Sequence, residues 1–364
     1  MKKVFVAATE QNAGKTTLCL GLYRAAQSRG YKTAFIKPVG QRYMMEEGEK
    51  VDEDAVLFKK ALAAEGLLKN LNPVTIPRGF TRNYIFNRDP EKLRGRIREA
   101  FESLGEDHDL VIIEGTGHAG VGSVVDASNA LVADMLDTSC VIVSGGGIGR
   151  CIDEICLNRA LFREAGVPLI GAVINKVYEE KYDKVSPAVK QGLKNNDIDC
   201  LGVIPYRKEL MYPTMRQLKE ELGLEALCGE GFLSNRVTNI IVAAMAPQNM
   251  ISYLEEGSLV VVPGDRIDNI LASVNAYLLR ERSGAAEISG LLLTGGFIPH
   301  LSIINILCQV DVPVLLSEED TATAAFRTRS LVAKISHHDK DKIQVAEKLV
   351  RNWVDMDRIF DYAG

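Results

Sequence analysis

Short aliphatic and β-branched runs alternate along the first half of the chain with longer stretches whose apolar residues recur at helical spacing. The runs cover residues 4–8, 33–36, 110–113, 140–143 and 169–174. Runs of that length without internal polar alternation predict strands buried on both faces, and their alternation with amphipathic stretches predicts βαβ units. Residues 40–109 form a longer polar interval with helical patterning near 52–68 and 90–104, expected as helices and loops over the strand ends. A further run at 201–205 closes the series, and the charged, turn-rich segment from Tyr206 places a boundary there. A second set of runs at 239–244, 258–262, 290–293 and 312–316, with a helical pattern at 267–282, predicts another, smaller α/β layer. In the tail, residues 339–355 place Ala346, Leu349, Val350 and Trp353 on one helical stripe, which predicts a docked helix with the single tryptophan in the core. The expected domains are residues 1–206 and 207–364, the C-terminal helix belonging to the second.

Composition agrees with two folded domains. The chain has 364 residues, of which 46% are hydrophobic and 25% charged, so little of it need be disordered. A net charge of −5 gives no basic field for nucleic acid, and no apolar run reaches the length of about 18 residues that a membrane span requires. Neither nucleic acid nor membrane is an expected partner. Seven cysteines lack the paired spacing of zinc sites or redox dithiols, which predicts buried, reduced thiols and a cytoplasmic location.

The chemistry begins directly after the first run. Ala8-Thr9-Glu10-Gln11-Asn12-Ala13-Gly14-Lys15-Thr16-Thr17 leads into a helical pattern, the strand–loop–helix context of a phosphate-binding loop, although the usual first glycine is absent. Gly14 lets the backbone approach phosphates, Lys15 reaches the β- and γ-phosphates, and the Thr16 hydroxyl ligates magnesium. The run at 110–113 ends in Glu114-Gly115, a carboxylate at a strand's C-terminal end that completes a magnesium shell, with Asp52 and Asp54 as further oxygen donors. Lys37-Pro38-Val39-Gly40 follows the second run, so a second lysine projects from the same sheet edge toward a transferred phosphoryl group. The expected fold is α/β of the P-loop NTPase type, a parallel sheet with helices on both faces followed by a smaller α/β domain. The expected cofactors are ATP and Mg2+. The glycine-rich stretch 144–149 is expected as a flexible turn beside the substrate, His118 as a loop residue open to acid–base work, and His337-His338 as a surface pair.

The set Thr9, Gly14-Lys15-Thr16, Lys37-Pro38-Val39, Asp54-Ala55, Glu114-Gly115-Thr116-Gly117 and Val173-Ile174-Asn175-Lys176 resembles dethiobiotin synthetase and its relatives over roughly the first 205 residues. The resemblance implies triphosphate binding by residues 9–17, magnesium ligation by Thr16, Asp54 and Glu114, a phosphoryl-holding role for Lys37 and an adenine-reading role for Asn175. It also implies a homodimer through this domain. Gln11, Gln41 and the Gly117-His118 pair depart from the family around the acceptor, so the resemblance carries the nucleotide site and leaves the acceptor open.

In the second half, Val262-Pro263-Gly264-Asp265-Arg266 and Leu293-Thr294-Gly295-Gly296, with Thr321 beyond, resemble the DRTGG domain. Together the two halves are similar to the N-terminal, regulatory part of long bacterial phosphotransacetylases, whose acetyl-transferring domain has no counterpart in the sequence. Asp265, Arg266 and Thr294 all follow strands, so they are expected to converge at one sheet edge and meet a small effector or a partner enzyme. Two functions fit: an ATP-dependent, synthetase-like enzyme that transfers the γ-phosphoryl to a small carboxylate or carbamate, or a nucleotide-sensing regulator with little or no catalysis.

Overall fold

The computed structural model of the chain describes residues 1–283 and 287–363. Two units emerge, Met1–Arg207 together with Ile335–Gly364, and Lys208–Lys334. The second is therefore an insertion in the first.

The first unit is built on six parallel strands, β1 (Lys2–Ala8), β2 (Thr33–Ile36), β3 (Leu110–Glu114), β4 (Ser139–Gly145), β5 (Leu169–Val177) and β6 (Cys200–Pro205), in the order β6-β5-β4-β1-β3-β2. Val4 to Ala8 of the central strand are wholly inaccessible, as continuous apolar runs require when helices cover both faces. The chain leaves β1 for one side of the sheet and crosses to the other between β3 and β4. The crevice beyond the carboxyl ends of β1, β3 and β4 is thus a topological switch point, where α/β sheets bind ligands. Residues 40–109 contain the expected helices, the longest being Pro90–Gly105, but also an antiparallel hairpin of Tyr43–Glu46 with Glu49–Asp52 that the sequence pattern did not announce.

The C-terminal helix Lys340–Trp353 corrects the expected domain assignment. It packs on Lys15–Ser28 of the first unit, so closely that a Cβ on Gly21 would lie 2.2 Å from Val350 Cβ. Ala346, Leu349 and Val350 are buried there as the stripe predicted, and Ile343 with them. Trp353, expected in the core, is 38% exposed, its ring edge-on to Tyr182 at 5.2 Å. Beyond it the backbone ties back to the sheet through Asp355 N–H to the Leu201 carbonyl (2.7 Å) and Lys3 N–H to the Ala363 carbonyl (2.6 Å).

The inserted unit carries a five-stranded sheet of β7 (Glu225–Cys228), β8 (Asn239–Val242), β9 (Ser258–Pro263), β10 (Ile288–Thr294) and β11 (Val314–Leu316), ordered β7-β11-β10-β9-β8. All neighbours are parallel except the edge strand β7, which the sequence pattern missed. Alternate residues feed two cores: Val260, Val262, Leu291 and Leu293 pack with Ile270 and Val274, whereas Leu259, Val261, Leu292 and Leu315 pack with Met215 and Leu218. Among the described residues, no helix is long and apolar enough to cross a membrane. All seven cysteines are free thiols. Cys19, Cys140 and Cys151 are buried as expected, Cys156, Cys200 and Cys228 are half-buried, and Cys308 is exposed.

Candidate functional site

The loop after β1 is fixed from several sides. Thr9 donates its amide to the Val143 carbonyl (2.9 Å), and its hydroxyl meets that of Ser144 at 3.1 Å in a buried contact. Asn175, at the end of β5, donates its side-chain amide to the Ala13 carbonyl (2.9 Å), and Lys176 reaches the Asn12 carbonyl (2.6 Å). Gly14 has φ +113°, and a Cβ there would lie 1.9 Å from Asn175 Nδ2, so glycine is demanded both by conformation and by space. Helix Lys15–Ser28 starts at the next residue, leaving its first amides at the loop.

Five side chains from four segments meet behind this loop. Lys37 leaves the end of β2 with its backbone pinned, its amide donating to the Leu71 carbonyl (2.7 Å) and its carbonyl accepting from Asn72 Nδ2 (2.8 Å). Its ammonium donates to Asp54 Oδ2 (2.7 Å) and Glu114 Oε1 (2.8 Å). Thr16 Oγ1 lies 3.0 Å from Glu114 Oε1 and 3.3 Å from Asp54 Oδ1. Lys37, Asp54 and Glu114 are respectively 5%, 6% and 1% exposed, so these are buried charges, for which removal of one partner costs about 3–5 kcal/mol.

Burial opposes the charge on Lys37, but Asp54, Glu114 and Asp52 outweigh it and hold the ammonium well above its ordinary range. Burial, and then the charge of Asp54, raise the Glu114 carboxyl, against the pull of Lys37. Lys15 makes no ion pair among the described residues; burial, followed by the charge of Lys37, lowers it to about 8. An anion beside Lys15 would oppose both effects.

The donor set suits a hard divalent cation. Thr16, Asp54 and Glu114 present only oxygen, and Glu114 Oε2 is buried without a hydrogen-bond partner among the described residues. No group of three or more His, Cys, Asp or Glu side chains forms a cation site by itself among the described residues. Magnesium commonly takes one or two carboxylates and completes its shell with substrate phosphates and water, and this set is of that kind.

Not every predicted residue joins the cluster. Asp52 caps the helix Glu53–Ala61 with one oxygen, accepting from the Asp54 amide at 3.0 Å, and so positions Asp54. Glu10 pairs with Arg150 at 3.3 Å. Gln11, Gln41 and His118 are exposed; His118 Nδ1 accepts from the Gly120 amide at 3.2 Å. Gly117 has φ +64°, and its carbonyl accepts from the Ala8 amide (3.3 Å). Asn129 was missed by the sequence reading, yet its side chain holds the loop after Glu114, accepting from the Thr116 amide (3.0 Å) and donating to the Thr116 and His118 carbonyls (2.8 and 2.7 Å). Its signal was only its place beside Ser128, a helix cap.

In the inserted unit the loops after β9, β10 and β11 do meet. Gly264 N–H donates to the Thr294 carbonyl (3.1 Å), Gly295 N–H to that of Glu319 (2.7 Å), and the Thr294 and Thr321 hydroxyls are 2.7 Å apart. Arg266 is forked onto Asp268 with two contacts of 2.9 Å. Asp265 lies at the same turn. Arg266 and the Thr294 hydroxyl thus each have a partner within the unit.

Comparison with known proteins follows this division. Residues 217–331 match the DRTGG domain. The chain is 27% identical over 361 residues to the phosphate acetyltransferase of Nitratidesulfovibrio vulgaris, covering 97% of this chain and 50% of that protein. It is 27% identical over 370 residues to that of Pseudomonas putida, covering 98% and 51%. The chain therefore spans about half the length of the curated relatives it matches. Among solved structures, the septum site-determining protein MinD of Pyrococcus horikoshii, complexed with Mg-ADP, aligns with TM-score 0.38 and 18% identity over 57% of this chain and 83% of that one. The CBS and DRTGG domains of the Clostridium perfringens pyrophosphatase regulatory region align with TM-score 0.27 and 15% identity over 44% and 81%. Residues 2–214, more than half of the chain, match the AAA domain, and the chain belongs to that family.

Proposed function

We propose that the first unit binds ATP with magnesium and transfers the γ-phosphoryl to a small carboxylate or carbamate. The observation that carries this reading is the convergence of Lys15, Thr16, Lys37, Asp54 and Glu114 behind a phosphate-binding loop at the switch point of a parallel sheet. In it, residues 9–17 cradle the phosphates, Asn175 faces the base, and Thr16, Asp54 and Glu114 hold the metal, which neutralises phosphate charge when bound. Lys15 and Lys37 supply the positive charge that a phosphoryl in flight requires, and catalysis is electrostatic. The acceptor lies among Gln11, Gln41, Gly117 and His118. The protein works in the cytoplasm as a homodimer joined through this unit; a monomeric mass by light scattering counts against that element.

The half-length match to phosphate acetyltransferases and the DRTGG domain favour a second reading, a nucleotide sensor whose inserted unit, at Asp265, Arg266 and Thr294, meets an effector or a partner enzyme. Calorimetric titration with magnesium-ATP tests what the readings share: saturable binding by wild type and none by Lys15→Ala. Failure of the wild type to bind removes both. A phosphate-release screen over small carboxylates and amines then separates them, because turnover stimulated by one compound supports the enzyme. No stimulation, with capture of an acyl-phosphate enzyme, supports the sensor.

A further inference from the structure

Two of the three oxygen donors that suit a divalent cation already hold a cation of the protein's own. The Lys37 ammonium sits 2.7 Å from Asp54 Oδ2 and 2.8 Å from Glu114 Oε1, and Glu114 Oε1 is also the atom the Thr16 hydroxyl contacts at 3.0 Å. One buried oxygen thus serves both the lysine and the threonine. Lys37 is held at its backbone by Leu71 and Asn72, so its side chain is the part left to move. Lys15 stands close by, buried and without an ion pair among the described residues, and the two ammonium groups repel.

The geometry points to Lys37 as a resident counter-ion that closes the Thr16–Asp54–Glu114 set to free divalent cations and opens it only when a polyphosphate draws the ammonium away. Two buried carboxylates cannot stay charged alone, because uncompensated buried charge is expensive. Before ligand arrives, Lys37 neutralises them. An anionic phosphate beside Lys15 gives the Lys37 ammonium an alternative partner, and the carboxylates it leaves then require another cation. Metal and nucleotide consequently enter together, and the site does not load with magnesium when nucleotide is absent. The same lysine serves first as a plug and then as a phosphoryl ligand. The opening half of this inference rests on the magnesium-nucleotide reading, whereas the closed half does not.

Manganese(II) is the probe, followed by the loss of its free-ion electron paramagnetic resonance signal. Wild type without nucleotide is expected to show no saturable binding up to millimolar manganese, and once ADP is added to show a loss of free-ion signal larger than the same ADP causes without protein. Lys37→Met without nucleotide is expected to bind manganese more tightly than wild type by about tenfold or more, since the carboxylates have lost their counter-ion. Adding Glu114→Gln to Lys37→Met should abolish that gain. Wild type that binds manganese alone as tightly as Lys37→Met overturns the proposal, as does a folded Lys37→Met that gains nothing. Should Lys37→Met be too unstable to isolate, the proposal requires that it refold in manganese chloride and not without it; refolding indifferent to the metal overturns it. If ADP adds nothing to wild type while Lys37→Met still gains manganese, the nucleotide reading fails and the closed plug stands.

Discussion

At the residue scale, Gly14 joins conformation to ligand geometry. Its φ of +113° costs a residue with a Cβ about 1–2 kcal/mol, and the Cβ would strike Asn175 Nδ2. Gly14→Ala should therefore displace the Asn175 amide from the Ala13 carbonyl and weaken nucleotide binding by about tenfold, with the sheet intact. Calorimetry on a variant of native circular dichroism checks it, and unchanged affinity would show that the loop's shape tolerates a side chain. Asp126 illustrates a second local device. Arg88 forks onto its carboxylate, with Nε 2.6 Å from Oδ2, and Tyr84 donates to the same oxygen at 2.9 Å, clamping a residue of φ +56°. The hydrogen bond from Arg88 is the main cause that holds this carboxyl at about 2. A depressed carboxyl contributes stability above its unfolded value near 3.8, lost as pH falls toward 2. A carbon-detected NMR titration should place the Asp126 midpoint near 2 in wild type. In Arg88→Met it should rise toward the ordinary carboxylate value, and an unmoved midpoint would remove Arg88 as the cause. Gly14, Lys15 and Thr16 were legible in sequence because a phosphate loop is a local pattern. The roles of Asn129 and Asp52 were not, since each depends on which backbone groups the fold brings within reach.

At the element scale, the strands of the first sheet were readable because each is a continuous apolar run that only double-sided burial explains. Edge strand β7 and the hairpin at 43–52 escaped the same test, since partly exposed strands carry no such run. The C-terminal helix shows a different limit. Its stripe announced burial, but a stripe does not name the surface it covers. That surface is the helix Lys15–Ser28, whose Gly21 makes room for Val350. Gly21→Leu should overpack this contact and cost about 1–3 kcal/mol, while Val350→Ala opens a cavity and costs about 1–3 kcal/mol. Urea denaturation monitored on the first unit measures both. Losses below a few tenths would mean that the two helices are not held by this contact. Because the same helix begins at Lys15, Gly21→Leu should also weaken nucleotide binding, whereas a substitution on the exposed face, such as Lys348→Ala, should not.

At the scale of the whole molecule, the decisive feature is that residues 208–334 interrupt a unit that closes only when residues 335–364 return to it. The inserted unit has its own five-stranded sheet and its own cores on both sheet faces, so it should fold when produced alone. A cooperative thermal transition by circular dichroism is the expected result, and a broad, non-cooperative melt would show that it depends on the flanking chain. Given that autonomy, nucleotide separates the two proposed functions. Ligand at 100 times its dissociation constant stabilises the unit that binds it by about 2.7 kcal/mol. In calorimetric melts of the intact chain, magnesium-ATP should raise the transition of the first unit. If the inserted unit's transition stays where it is in isolation, nucleotide binding is confined to the first unit and the sensor reading loses its support. If both transitions move together, nucleotide binding is energetically coupled to the insertion, as a sensor requires. Lys15→Ala must then erase both shifts, since a shift that survives the loss of Lys15 would come from ATP bound elsewhere.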